Sequence, residues 1–156
     1  MSFFRKYKTY MVYAAITLGL GVLSALITGS YSIYDNFVKP ALAPPAIVFP
    51  IVWTILYILI GFAAGNVAES NDLDKQTAIK LYFLQLLINV IWPIIFFKAE
   101  AIKFALFWLL LLIIVSGLTL KYFFSIRKTA GFLFLPYFLW LLFAFYLNFS
   151  VVALNS

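Results

Sequence analysis

The side chains placed to do chemistry in this sequence are aromatic rings and amides, set at helical spacing within long apolar runs. Phe49, Trp53, Tyr57 and Gly61 follow one another at intervals of four. Gln85, Asn89, Trp92 and Phe96, and then Tyr137, Trp140, Ala144 and Asn148, repeat the pattern at intervals of three and four. On a helix each set falls along one face. Rings of this kind stack on flat aromatic molecules, and indole N–H, phenol and amide groups hydrogen-bond their edges. The chemistry implied is recognition rather than turnover. The chain has no His and no Cys, and its five acids lie outside the apolar runs. General acid–base, thiol and zinc mechanisms therefore have no evident site, and neither a metal nor a cofactor is expected.

Each stripe also has a plainer reading. Tyr57, Tyr82 and Trp108 fit an aromatic belt at a membrane–water boundary. Gln85 and Asn89 fit hydrogen-bonded contacts between helices. An unpaired amide in hydrocarbon costs on the order of several kcal/mol, so these groups must turn inward to partners. Three matching stripes of rings and amides favour a lined cavity.

The elements that carry the stripes are set by composition. With 66% hydrophobic residues, 10% charged residues and a mean hydropathy of +1.09, the chain lacks the polar surface to coat a water-soluble globule. A hydrocarbon core of about 30 Å takes roughly 20 apolar residues per helix. Five charge-free runs approach that length: 9–28, 47–68, 81–97, 104–120 and 132–154. The third and fourth have only 17 residues each, so they are expected to stand upright or to draw on Lys98, Lys103 and Lys121 reaching outward. The expected fold is an all-α integral membrane bundle of five helices, one domain over 1–156. A β-barrel is excluded because its strands would alternate apolar and polar residues. The first run follows Arg5, Lys6 and Lys8, but it is too long for a signal-peptide core and is expected to be retained.

The longest connection, 29–46, holds Tyr31, Tyr34, Asp35, Lys39 and the stiff stretch KPALAPP, and is expected to cap one end of the bundle. Pro50, Pro93 and Pro136 lie in or near the three striped helices, where kinks would make room. Gly61 and Gly65 form a GxxxG, and Ala15 with Gly19 and Gly21 with Ala25 repeat the small-residue spacing, which serves either a dimer or internal packing. Eight Lys and Arg residues fall on the N-terminal side of the bundle against Lys39, Lys98 and Lys103 on the other. That bias puts the N-terminus in the cytoplasm and the C-terminus outside. Because the basic residues are scattered over both faces, the net charge of +6 is a topology signal and nucleic acid is not an expected partner.

Four segments in order, YDNFVKPALAPP, FPIVWTILY, LYFLQLLINVIWPIIFF and PYFLWLLFAFYLN, resemble the translocator protein or tryptophan-rich sensory protein family over nearly the whole chain. The resemblance implies a five-helix bundle, usually dimeric, in the cell membrane. It implies a cavity under the first loop for tetrapyrroles such as protoporphyrin IX, for sterols in some members, and for isoquinoline or benzodiazepine drugs. Carried over by position, ligand contacts come from Tyr34, Trp53, Asn89, Trp92, Trp140 and Ala144, and the stripes add Phe49, Tyr57, Gln85, Tyr137 and Asn148. Lys39 at the cavity mouth can pair with a porphyrin carboxylate. Metal-free porphyrin is the better guest, since haem iron would have to take a Tyr or Met ligand.

Three departures limit the transfer. Leu42 stands where a Trp is common, Leu111 replaces an acid common midway along the fourth helix, and no Lys or Arg follows Tyr146 to complete a sterol motif. The pattern at Leu120, Tyr122 and Arg127 is a weak substitute. Light- and oxygen-dependent porphyrin breakdown in some members implicates Trp53 and Trp140 as photochemical residues. Two functions stand against each other: a ligand-binding sensor, and a carrier for porphyrins or other amphipaths. No charged residue lies within a run, which argues against ion-coupled transport.

Overall fold

The computed structural model describes residues 2–156. Its helices are α1 (Ser2–Thr28), the short α2 (Ile33–Asn36), α3 (Val48–Ala68), α4 (Lys75–Pro93), α5 (Ile102–Ile126) and α6 (Lys128–Asn155). A wide π-type turn, Ile94–Lys98, extends α4. The chain is all-helical, with 83% helix and no strand among the described residues. Five helices are long and apolar enough to cross a membrane, which makes this a multi-pass membrane protein. The shortest of them, at 21 residues, is about 31 Å long.

The helices outrun the charge-free stretches that announce them. The third and fourth spans reach 24 and 25 residues, not 17, and α1 begins well before Thr9. Lysine and arginine are good helix formers whose stems lie along apolar surface while their heads reach water. A charge therefore marks the depth of the headgroup region without ending the helix, and the two spans need not stand upright.

Close packing places the helices. A Cβ on Gly61 would lie 2.5 Å from the Ala14 Cα, and one on Gly65 would lie 2.8 Å from the Tyr10 Cα. The GxxxG face of α3 is thus used internally, to let α1 approach. Behind it α3 packs on α6, α6 on α5 and α5 on α4, around fully buried Ile60, Leu86, Phe123, Phe134 and Leu141.

The prolines act differently from one another. Pro50 lies in the first turn of α3, where no intrahelical N–H bond is due, so it bends nothing. Pro136 lies inside a continuous α6. Pro93 closes the regular part of α4, and the wide turn follows at once. The first connection is tied to the far end of the chain. The Val38 N–H donates to Asn155 Oδ1 at 2.9 Å, Asn155 Nδ2 donates to the Val38 carbonyl at 2.9 Å, and the Tyr146 hydroxyl donates to the Ala41 carbonyl at 2.7 Å. Exposed Leu42 adopts a φ of 71°, a conformation that favours glycine.

Gly61→Val is expected to lower the unfolding temperature in detergent by several degrees, since overpacking costs about 1–3 kcal/mol. Gly117→Ala is the control, because its Cβ would meet the Phe138 ring at an ordinary 3.6 Å. Equal stability of the two variants would contradict the close α1–α3 approach.

Candidate functional site

Helical spacing puts Pro50, Trp53, Thr54 and Tyr57 on one face of α3. There they meet Leu18, Gly21, Val22 and Ala25 of α1 and Trp92 and Phe97 at the end of α4. These walls and Tyr31 of the first connection enclose a groove of about 120 Å³, or about 640 Å³ when its open mouth is included. Val22, Ala25, Pro50 and Thr54 are lining residues and yet exposed, so the groove opens sideways onto the apolar exterior of the bundle. No charged side chain lines it. Gly21 is what admits the Tyr57 ring, which a Cβ at that position would strike.

The end of α4 is shaped by Pro93. The Ile94 N–H turns to the Ile91 carbonyl, and the Val90 carbonyl accepts instead from the Ser24 hydroxyl at 2.5 Å. This is a polar tie between α1 and α4 at the groove wall, made from a backbone group that an unbroken helix would keep for itself.

Beneath the groove runs a chain of buried hydrogen bonds. The Tyr57 hydroxyl donates to Asn89 Oδ1 at 2.7 Å, Asn89 Nδ2 donates to the Tyr137 hydroxyl at 2.9 Å, and that hydroxyl donates to Gln85 Oε1 at 2.6 Å. Ser116 reaches the same Gln85 oxygen at 3.4 Å, while Gln85 Nε2 has no partner. Tyr82 hydrogen-bonds Thr17. A second link runs from Trp92 Nε1 to Asn148 Oδ1 at 3.2 Å and from Asn148 Nδ2 to the Ile102 carbonyl at 3.0 Å.

Placed in this geometry, the residues singled out from sequence divide into groups. Phe49, Trp53, Tyr57 and Trp92 line the groove. Tyr34, Ala144 and Asn148 join Phe49 and Trp92 around a void of only about 20 Å³ between α4, α6 and the first connection. Trp140 packs on Phe49 and Trp53, with ring centroids at 6.2 and 6.5 Å, and its buried Nε1 has no partner. Gln85, Asn89 and Tyr137 form the network under the groove and are not on its surface. The belt reading of Tyr57 and Tyr82 is overturned, because both are buried and hydrogen-bonded. Trp108 is half-buried and donates to the Ile88 carbonyl at 2.8 Å.

Sequence reading missed the α1 wall, Tyr31 and Phe97. The small residue Gly21 was the available signal, read there as serving a dimer or internal packing. Lys39 is already engaged: its ammonium donates to the Tyr34 carbonyl at 3.2 Å and lies 4.7 Å from the centre of the Tyr34 ring. Burial, with the Asp35 charge adding to it, pushes the Tyr34 hydroxyl above its ordinary pKa. That hydroxyl donates to the Pro44 carbonyl at 2.9 Å.

The model of the TspO/MBR family matches residues 12–154. The chain is similar to the tryptophan-rich protein TspO of Chlorobaculum tepidum, 36% identical over 78% of each chain. It is 37% identical to the tryptophan-rich sensory protein of Cereibacter sphaeroides, over 78% of this chain and 76% of the relative. The human translocator protein is 33% identical over 76% of this chain and 72% of its own length.

Tyr137→Phe removes both a donor and an acceptor, stranding Asn89 Nδ2 away from water and leaving Gln85 Oε1 only the longer bond from Ser116. A loss of about 1–3 kcal/mol is expected, read as a lower unfolding temperature. Wild-type stability in this variant would mean that the network does not hold the bundle.

Proposed function

Because the chain belongs to the TspO/MBR family, we propose that it is a sensor-type membrane receptor for porphyrins such as protoporphyrin IX. Related flat hydrophobic ligands, including isoquinoline and benzodiazepine drugs, fall within the same reading. The observation that carries it is the groove walled by Trp53, Tyr57, Trp92 and Phe97, free of charge and open to hydrocarbon. Such a surface suits a flat apolar body stacked on rings, with any carboxylates left at the rim. Trp140 Nε1, buried and unpartnered beside Trp53, offers a donor to a ligand oxygen once the rings part. Phe49, Tyr34, Ala144 and Asn148 extend the contact surface toward α6, with Asn89, Gln85 and Tyr137 supporting it from below.

The enclosed volume of about 120 Å³ is below the roughly 300 Å³ at which small-molecule pockets begin, so a tetrapyrrole requires the walls to separate. On this reading the protein is a homodimer in the cell membrane, and the Lys and Arg bias supports an N-terminus in the cytoplasm and a C-terminus outside. Any degradation of bound porphyrin is light-driven with dioxygen as oxidant, Trp53 and Trp140 being the nearby redox-active rings. The sideways mouth favours a second reading, a passive carrier taking amphipaths from the bilayer. Sterols are a weaker fit, for want of a basic residue after Tyr146.

In lipid nanodiscs, protoporphyrin IX is expected to quench Trp fluorescence saturably at micromolar levels. Trp53→Phe and Trp140→Phe should weaken binding several-fold and Trp108→Phe should not. Unsaturable quenching, equal in all four proteins, would mean partition into lipid alone. Porphyrin loss is expected under light with oxygen, and turnover in strict darkness would contradict the photochemical reading. Uptake into protein-containing vesicles above that of empty ones would favour the carrier.

A further inference from the structure

We infer that the groove between α1 and the start of α4 binds the phosphate headgroup of an anionic phospholipid. This site is separate from the aromatic groove and does not depend on the receptor reading. A concavity of about 320 Å³ is lined by Tyr13 of α1, Ala68 at the end of α3, and Lys75, Gln76, Ile79 and Lys80 of α4. The Lys75 ammonium is fixed by donating to the Ala68 carbonyl at 3.2 Å and to the Ser70 carbonyl at 2.9 Å. An ammonium has three donors, so one remains for a ligand, and the side chain is already ordered.

Lys80 is exposed, and among the described residues neither lysine forms an ion pair. Of the carboxylates nearby in sequence, Asp72 accepts from the Asp74 N–H at 2.9 Å, Glu69 accepts from the Thr9 hydroxyl at 2.5 Å, and exposed Asp74, next to Lys75, pairs with neither lysine. The Tyr13 hydroxyl and the Gln76 amide have no hydrogen-bond partner among the described residues. Two cations and two neutral polar groups thus surround one concavity, a donor set that suits a phosphate.

A lipid, rather than a free anion, is indicated by what continues from the site. Along α4 the face of Gln76 and Lys80 passes into exposed Phe83, Leu84 and Leu87, and the Phe83 ring lies 6.1 Å from that of Tyr13. Charged head, aromatic shelf and apolar track follow in the order of headgroup and acyl chain. Basic pockets between spanning helices hold acidic headgroups in this manner. The groove also lies on the face that carries eight of the eleven Lys and Arg residues.

The test is thermal unfolding of the full chain in neutral detergent, titrated with phosphatidylglycerol, phosphatidylcholine or inorganic phosphate. Phosphatidylglycerol is expected to raise the unfolding temperature saturably, and the other two are not. Lys80→Gln and Tyr13→Phe should each weaken that response several-fold, while Lys121→Gln, an exposed lysine of α5, should leave it intact. Lys80 makes no hydrogen bond among the described residues, so its variant tests the site without disturbing the helix end that Lys75 secures. An equal response in Lys80→Gln and Lys121→Gln, or stabilisation by phosphatidylcholine, would overturn the site. The full shift from inorganic phosphate alone would overturn the lipid as its occupant.

Discussion

Hydrocarbon offers no hydrogen bonds, and that constraint organises this molecule. An amide on a spanning helix must meet a partner on a neighbour or carry the full cost of desolvation. Gln85 and Asn89 stand one turn apart on α4, and their partners are Tyr57 on α3, Tyr137 on α6 and Ser116 on α5. Four helices are thereby fixed in rotation and depth. With the hydroxyl of Tyr57 held by Asn89, its ring is carried against Gly21, and Trp53 follows one turn along α3 at the groove wall. The polar chain decides where the aromatic face points.

The two sides of the groove are built differently. Its floor is a hydrogen-bonded network, complete but for Gln85 Nε2, surrounded by close-packed core. Its mouth lies between α1 and α3, which diverge in character along their length. Toward the N-terminal end of α1, Gly61 and Gly65 bring the backbones together, whereas past Gly21 the facing side chains are exposed Val22, Ala25, Pro50 and Thr54. A seam tight at one end and open at the other can part without breaking the floor. A cavity smaller than its ligand is then no contradiction: the ligand supplies the contacts that hold the open form, a shift between populations set by differential affinity.

Fold class was legible in the sequence because it follows from composition and run length, which solvent alone constrains. Helix ends were not, since Lys75, Lys103 and Lys128 interrupt the apolar pattern while the backbone remains helical. The stripe of α3 was legible as a surface facing something. What the amides of α4 do was not, because a pocket wall and an interhelical bond leave the same mark in one helix. The distinction lies in Tyr137 and Ser116, brought alongside only by packing. Gly21 was legible as small, and the ring that fills its space lies 36 residues away on another helix. The tie from Ser24 to Val90 depends on a carbonyl released near Pro93, which propensity alone does not locate.

The measurement that bears most directly on this account is the separation of α1 and α3 across the groove mouth. The chain has no cysteine, so spin labels at Leu26→Cys and Ile55→Cys, both exposed on the outer surface, report that distance cleanly. In nanodiscs the label distance is expected to lengthen as protoporphyrin IX saturates the protein, and to return when the ligand is removed. An unchanged distance at saturation would place the ligand elsewhere and leave the aromatic groove as packing.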